Sequence, residues 1–183
     1  MIAGSGGSGG GAGASRAMDV QQIFERLGQL CGGALLDAAP GDGEWPRLNV
    51  VPTRVAEVAR VLRDDPALGF DCLANLTGVD LKAEDSIEVC YHLFSYRHRH
   101  QLMLAARASR GDPLLPTFTD LWPAADWLER ECFDLLGVRF IGHPDLRRLL
   151  MPEDWVGHPL RKDFIEPEEY HGISTRRESL LKL

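Results

Sequence analysis

From Ile87 to Leu93 every second residue is apolar: Ile87, Val89, Tyr91 and Leu93. Extended backbone points successive side chains to opposite sides, so this alternation predicts a strand with one face turned to a core. A sheet of that kind is covered by helices on one side and leaves the other open. The chain around it must therefore supply both the neighbouring strands and the helices that cover them.

It supplies both. Val20, Ile23, Phe24, Leu27 and Leu30 recur at helical spacing from Asp19 to Cys31, and Gly32-Gly33 ends the run. Ala34 to Ala38 and Leu48 to Val51 read as short strands around a turn at Pro40 to Gly43. A second helix is expected with Thr53 as its cap, a buried stripe of Val55, Val58, Ala59 and Leu62, and Pro66 beyond its end. Strands are also expected near Phe70 to Leu81, Ile87 to Tyr96 and Gln101 to Ala108, ending at Gly111-Asp112-Pro113. The sum is an α+β domain: two layers, a mixed, mostly antiparallel sheet with helices on one face, and an extended C-terminal segment. We expect residues 1–17, mostly Gly, Ala and Ser, to be a disordered tail, 18–140 the α+β domain and 141–183 an extended partner-binding segment. Met18 is a second plausible start.

Composition removes some functions. A formal net charge of −7 is a poor basis for general nucleic-acid binding, which needs a concentrated basic field. No stretch approaches the ~20 consecutive apolar residues of a membrane-spanning helix. Cys31, Cys72, Cys90 and Cys132 are widely separated, with no C-x-x-C pair, and read as reduced small hydrophobes. The run Arg97-His98-Arg99-His100 is expected at an exposed hairpin tip, since His98 and His100 share a face but lack an evident third metal ligand.

Residues 122–164 are of another character, with three tryptophans, four prolines and densely paired charges. Trp and Arg supply most of the anchoring energy at protein interfaces, so this segment reads as a surface built to be held by other proteins. Pro123 and Gly137 bracket a helix. Steps of 100° place Ala124, Leu128, Cys132 and Leu135 on its apolar face, with Glu131 inside that face between Trp127 and Leu135. Glu131 is then expected to need a buried partner among Arg139, Arg147 and Arg148. Trp127 is expected as a core anchor, and Arg130 as a surface residue paired with Asp126 or Asp134. Further along, Arg147, Arg148, Arg161 and Lys162 alternate with Asp145, Glu153, Asp154 and Asp163, a pattern suited to specific pairing with a protein surface. His143 and His158 lie in separate loops, and a hydrolase using either with Glu131 is the weaker reading, because no Ser or Cys nucleophile motif accompanies them.

The stretch WLERECFDLLGVRFIGHPDLRRLLMPEDWVGHPLRKDF resembles the signature of the 30-kilodalton subunit of respiratory complex I. Glu129-Arg130-Glu131, Asp134, Gly137, Gly142 to Arg148 and Pro159 to Phe164 carry the resemblance, and LTGVD at Leu76 to Asp80 extends it upstream. The resemblance implies a non-catalytic core subunit of the peripheral arm of NADH:quinone oxidoreductase. It would scaffold electron transfer from NADH to quinone coupled to proton translocation. It further implies no cofactor in this chain, with FMN and iron–sulfur clusters in partner subunits. The expected partners are the large quinone-site subunit and neighbouring iron–sulfur subunits, and the expected location is the cytoplasmic side of the plasma membrane. A related membrane-bound hydrogenase or a plastoquinone-linked complex has a corresponding component and is the nearest alternative. On either reading Trp127, Glu129, Arg130, Glu131, Asp134, His143, Arg147, Arg148, His158, Arg161, Lys162 and Asp163 are candidates for a partner interface or for structural ion pairs.

Overall fold

The computed structural model describes residues 18–39 and 45–175. The expected tail at 1–17, the turn at Pro40 to Gly43 and the end of the C-terminal segment lie outside them. In order come α1 (Val20–Cys31), β1 (Leu35–Ala39), β2 (Arg47–Val50), α2 (Val55–Asp64), β3 (Cys72–Leu81), β4 (Ser86–Phe94) and β5 (Gln101–Ser109). They are followed by β6 (Leu114–Pro116), α3 (Ala125–Leu136), β7 (Arg139–Ile141), β8 (Glu169–Tyr170) and β9 (Ile173–Ser174). The main sheet has the order β1-β2-β5-β4-β3 and is antiparallel except where β2 runs parallel to β5.

Register shows why one face is the core. Tyr91 lies between Leu76 and Leu104, and Leu93 between Leu73 and Leu102. These residues are buried together with Leu48, Val50 and the inward stripes of α1 (Ile23, Leu27) and α2 (Val55, Val58, Ala59, Leu62). On the opposite face Glu88 accepts from Arg47 at 2.6 Å and from Arg107 at 2.7 Å, so the buried carboxylate there has two cations. The expected α+β class, with a mixed, mostly antiparallel sheet, is what the chain adopts.

The helix starts differ in detail. Asp19 caps α1 through a reciprocal bond pair with Gln22. Thr53, however, does not cap α2. Pro52 presets a 3₁₀ turn over Pro52–Arg54, and Arg54 occupies the cap position with no side-chain cap. Its guanidinium reaches back to the carbonyls of Cys31 and Gly32 at 2.8 and 2.7 Å, closing the carboxyl end of α1. The 97–100 run is also corrected. His98 and His100 are buried, donating through Nε2 to the carbonyls of Pro66 (2.9 Å) and Leu68 (2.6 Å). Tyr96 is left exposed at the turn while the imidazoles fold inward, His100 stacking on Phe70.

β6 and β7 form a small parallel pair that brackets α3, bonding Leu114 to Pro116 against Arg139 to Ile141. Beyond β7, residues 142–175 form a strap of turns with a two-residue hairpin, β8–β9, near its end.

Candidate functional site

The strap is organised by α3, a helix buried along two stripes. One stripe faces the sheet: Ala125, Glu129, Cys132 and Leu136 are all buried. Gly78 of β3 is what lets this stripe approach, since a Cβ there would overlap Leu136 Cδ1 and lie 2.9 Å from Cys132 Sγ. The second stripe, Arg130 and Asp134 one turn apart, faces the strap and is buried as well. The apolar face is thus turned about one residue from the expected phase, and three expectations fall with it. Glu131 is exposed, and the inward carboxylates are Glu129 and Asp134. Arg130 is buried, donating to the carbonyls of Arg147 (3.3 Å) and Arg148 (3.4 Å). Trp127 is 62% exposed, its ring under the Arg130 guanidinium at 5.2 Å.

Asp134 is the centre of the attachment. Its Oδ2 accepts the backbone N–H groups of Leu149, Leu150 and Met151 at 3.0, 2.7 and 2.8 Å, and its Oδ1 accepts from Arg148 at 2.7 Å. Burial alone would raise this carboxyl's pKa, but the three amides and the guanidinium outweigh it and hold it below the usual carboxylate range. Arg148 continues to the carbonyls of Trp155 and Gly157 at 2.8 and 3.1 Å, so one ion pair fixes two turns of the strap.

The last carbonyls of α3 have no donor inside the helix, and the strap supplies them. His158 Nδ1 donates to the Asp134 carbonyl (2.9 Å), the Leu160 amide to Leu135 (3.0 Å) and Arg161 Nε to Leu136 (2.7 Å). Gly137 ends the helix at φ 78°, and a Cβ there would meet His158 Nε2 at 2.6 Å and Arg161 Nη2 at 2.9 Å. His158 is kept neutral mainly by burial, which lowers its pKa.

A second attachment lies at the sheet end. Arg110 grips Asp80 with two bonds of 2.7 and 3.0 Å and also pairs with Asp163, while the Lys162 amide donates to Asp80 at 2.8 Å. Arg110 is the main reason the Asp80 pKa falls to about 2. The alternation of strand residues gave no sign that Asp80 and Arg110 belong with the strap, and Asp80 entered the reading only as the last residue of LTGVD, which resembles the family.

The remaining candidates are local. His143 donates through Nε2 to the Asp126 carbonyl (3.1 Å) and accepts the Asp145 amide at Nδ1 (3.0 Å), which fixes its tautomer. Arg147 pairs with Asp145 at 2.9 Å on the exposed side. Arg139, one expected partner of Glu131, pairs with Asp112. Neither histidine is joined to Glu131; both are held by backbone.

Arg148, His158 and Arg161 of the strap turn toward α3, while Asp145, Arg147, Glu153, Asp154 and Lys162 stay exposed, and among these charges lie large apolar side chains on the strap and on β7. Val156 is 84% and Ile165 87% exposed, and Leu150, Leu160 and Ile141 are exposed as well. Water gains nothing from such a surface, whereas a protein partner would bury it.

Comparison with known proteins agrees over most of the chain. The family described as respiratory-chain NADH dehydrogenase, 30 Kd subunit, matches residues 48–170. The C subunit of the NADH-quinone oxidoreductase of Roseiflexus castenholzii is 47% identical over 140 residues, covering 76% of this chain and 80% of that protein. The C subunit of the same enzyme from a Methylobacterium species is 41% identical over 132 residues, 72% of this chain and 60% of that protein. Among solved structures, the trypsin-resistant fragment of Nqo5 superposes with a TM-score of 0.57 at 30% identity, covering 68% of this chain and 99% of the fragment. A chain of an archaeal membrane-bound sulfane sulfur reductase shares the fold, with a TM-score of 0.62 at 23% identity over 79% of this chain and 85% of its own.

Proposed function

The chain belongs to the family of the 30-kilodalton subunit of respiratory-chain NADH dehydrogenase, and from that premise we propose that it is a non-catalytic scaffold of the enzyme's peripheral arm. Its role is to hold neighbouring subunits so that electrons pass from NADH to quinone along FMN and iron–sulfur clusters bound in those neighbours. The large quinone-site subunit is the partner we assign to the strap. Among the described residues no helix is long and apolar enough to cross a membrane. We place the chain on the cytoplasmic side of the membrane, attached through the complex.

The observation that carries this reading is the set of large apolar side chains that the strap leaves exposed beside its own attachment to α3. Arg130, Asp134, Arg148, His158 and Arg161 bind the chain to itself, while Val156 and Ile165 point away from it. A catalytic site would need convergent polar groups open to a substrate; here the convergent groups are engaged with backbone.

The test is purification of the tagged chain from its native membranes in mild detergent, as wild type and as the double variant Val156→Asp/Ile165→Asp. The wild type is expected to bring down flavin- and iron–sulfur-bearing subunits with NADH:quinone activity, and the variant to fold normally but come down alone. A wild type recovered with a nickel-iron subunit, or a variant that assembles fully, would overturn the proposal.

A further inference from the structure

Four carboxylates are buried among the described residues: Asp80, Glu88, Glu129 and Asp134. Three are neutralised by arginine, Asp80 by Arg110, Glu88 by Arg47 and Arg107, and Asp134 by Arg148. Glu129 has no ion pair among the described residues. Its Oε2 accepts the Thr117 hydroxyl and its Oε1 the Phe118 amide, each at 2.6 Å.

The groups around it supply no cation. From β4 comes Tyr91, whose hydroxyl is buried with no hydrogen-bond partner among the described residues and whose ring stacks on Phe118 at 4.2 Å; its neighbour Cys90 lies beside Glu88. From α3 itself come Asp126, whose charge disfavours ionisation of Glu129, and Cys132, whose thiol pKa is raised by burial and further by Glu129. Arg130, next in sequence, is turned onto the carbonyls of Arg147 and Arg148. Arg63 of α2 reaches this loop but bonds the carbonyls of Asp120 and Leu121 and the carboxylate of Asp64. His143 donates to the Asp126 carbonyl.

We propose that Glu129 is a reversible proton-binding site and that the β6–α3 connection, residues 117–119, is the element that responds to it. An isolated carboxylate in an apolar interior lowers its energy by taking a proton when no cation is at hand. Burial pushes the Glu129 pKa up to about 7, with Asp126 adding to the rise and the Thr117 and Phe118 bonds opposing it. The exchange balances in hydrogen bonds. When ionised, Glu129 accepts from Thr117 and Phe118. When Oε2 takes a proton from solvent it donates to Thr117 Oγ1, which keeps the Thr119 amide as a donor at 3.1 Å and turns its own hydrogen to Thr119 Oγ1, 3.0 Å away, whose hydrogen turns to solvent. The Phe118 amide then faces a neutral acceptor, and the loop is held by a different set of bonds. Glu129 thereby differs from the other buried carboxylates, which are locked in the ionised form by arginine.

The test is a ¹³C NMR titration of glutamate carboxyl carbons in the full chain, with Glu129→Gln to assign the signal and Thr117→Val to alter it. One carboxyl carbon is expected to titrate near pH 7, to vanish in Glu129→Gln, and to move to still higher pH in Thr117→Val, where a donor to the ionised form is lost. The Thr119 amide should shift with the same midpoint. A Glu129 signal that titrates in the ordinary carboxylate range, below pH 5, would overturn the proposal and make the group a permanently ionised acceptor. So would a midpoint near 7 with no matching change at residues 117–119, since the responding element would be wrong.

Discussion

Replacing Asp134 by Asn keeps the volume and one carbonyl oxygen but removes the charge on which the strap converges. The Oδ2 site can still accept from Leu149, Leu150 and Met151, though as a neutral group. The Oδ1 site becomes either an amide donor pointed at the Arg148 guanidinium or a lost contact. Stripping one member of a buried ion pair costs about 3–5 kcal/mol, and the loss of charge assistance on the amides adds to it. Because Asn retains an acceptor, the lower end, about 3 kcal/mol, is the appropriate figure. The cost falls on the strap and not on the sheet, so the opening equilibrium of 148–151 should rise about a hundredfold, at ~1.4 kcal/mol per factor of ten. Amide hydrogen exchange measures this directly: Leu149, Leu150 and Met151 should exchange roughly a hundredfold faster, while Val89 and Tyr91 in β4 keep their protection. If the three strap amides exchanged less than about threefold faster in the variant, Asp134 would not be the organising acceptor. Equal acceleration in β4 would mean that strap and sheet unfold as one unit.

Two further outcomes follow from the same contacts. Gly78→Ala places a methyl against Leu136 and Cys132, so α3 must shift, and melting should show a loss of about 1–3 kcal/mol; an unchanged Tm would mean α3 is free to slide. Acid should release the strap: the folded pKa of Asp80 is depressed, so its contribution is present above the ordinary value of 3.8 and lost as pH falls towards about 2, with the Trp155 indole NMR signal moving over that window.

β4 was legible because Ile87, Val89, Tyr91 and Leu93 all face one core, a period-2 pattern that its irregular neighbour β3, with a register shift between Leu73 and Asn75, does not show. The phase of α3 was not, because pattern reasoning assumes one apolar stripe. Here a second, polar stripe is buried against the strap, so Arg130 and Asp134 look like surface residues while Trp127, an aromatic, is exposed. Periodicity cannot tell an arginine in water from one that binds carbonyls 17 and 18 residues away. The β6–β7 pair escaped notice for a different reason: three residues are too few to show an alternation. His98 and His100 were misplaced because their acceptors, the Pro66 and Leu68 carbonyls, belong to backbone and leave no mark in side-chain chemistry.

The parallel contact between β2 and β5 sets a timetable for a chain being synthesised. β3, β4 and β5 pair with their neighbours in sequence and can zip together as they emerge. Beyond its hairpin with β1, β2 has a neighbour in the sheet only once residues 103–106 of β5 have left the ribosome. α1, β1, β2 and α2 can pack on one another, but they join the main sheet only through a strand made about fifty residues later. Elements made well apart thus close one core together, and α3, made later still, adds Cys132 and Leu136 to it.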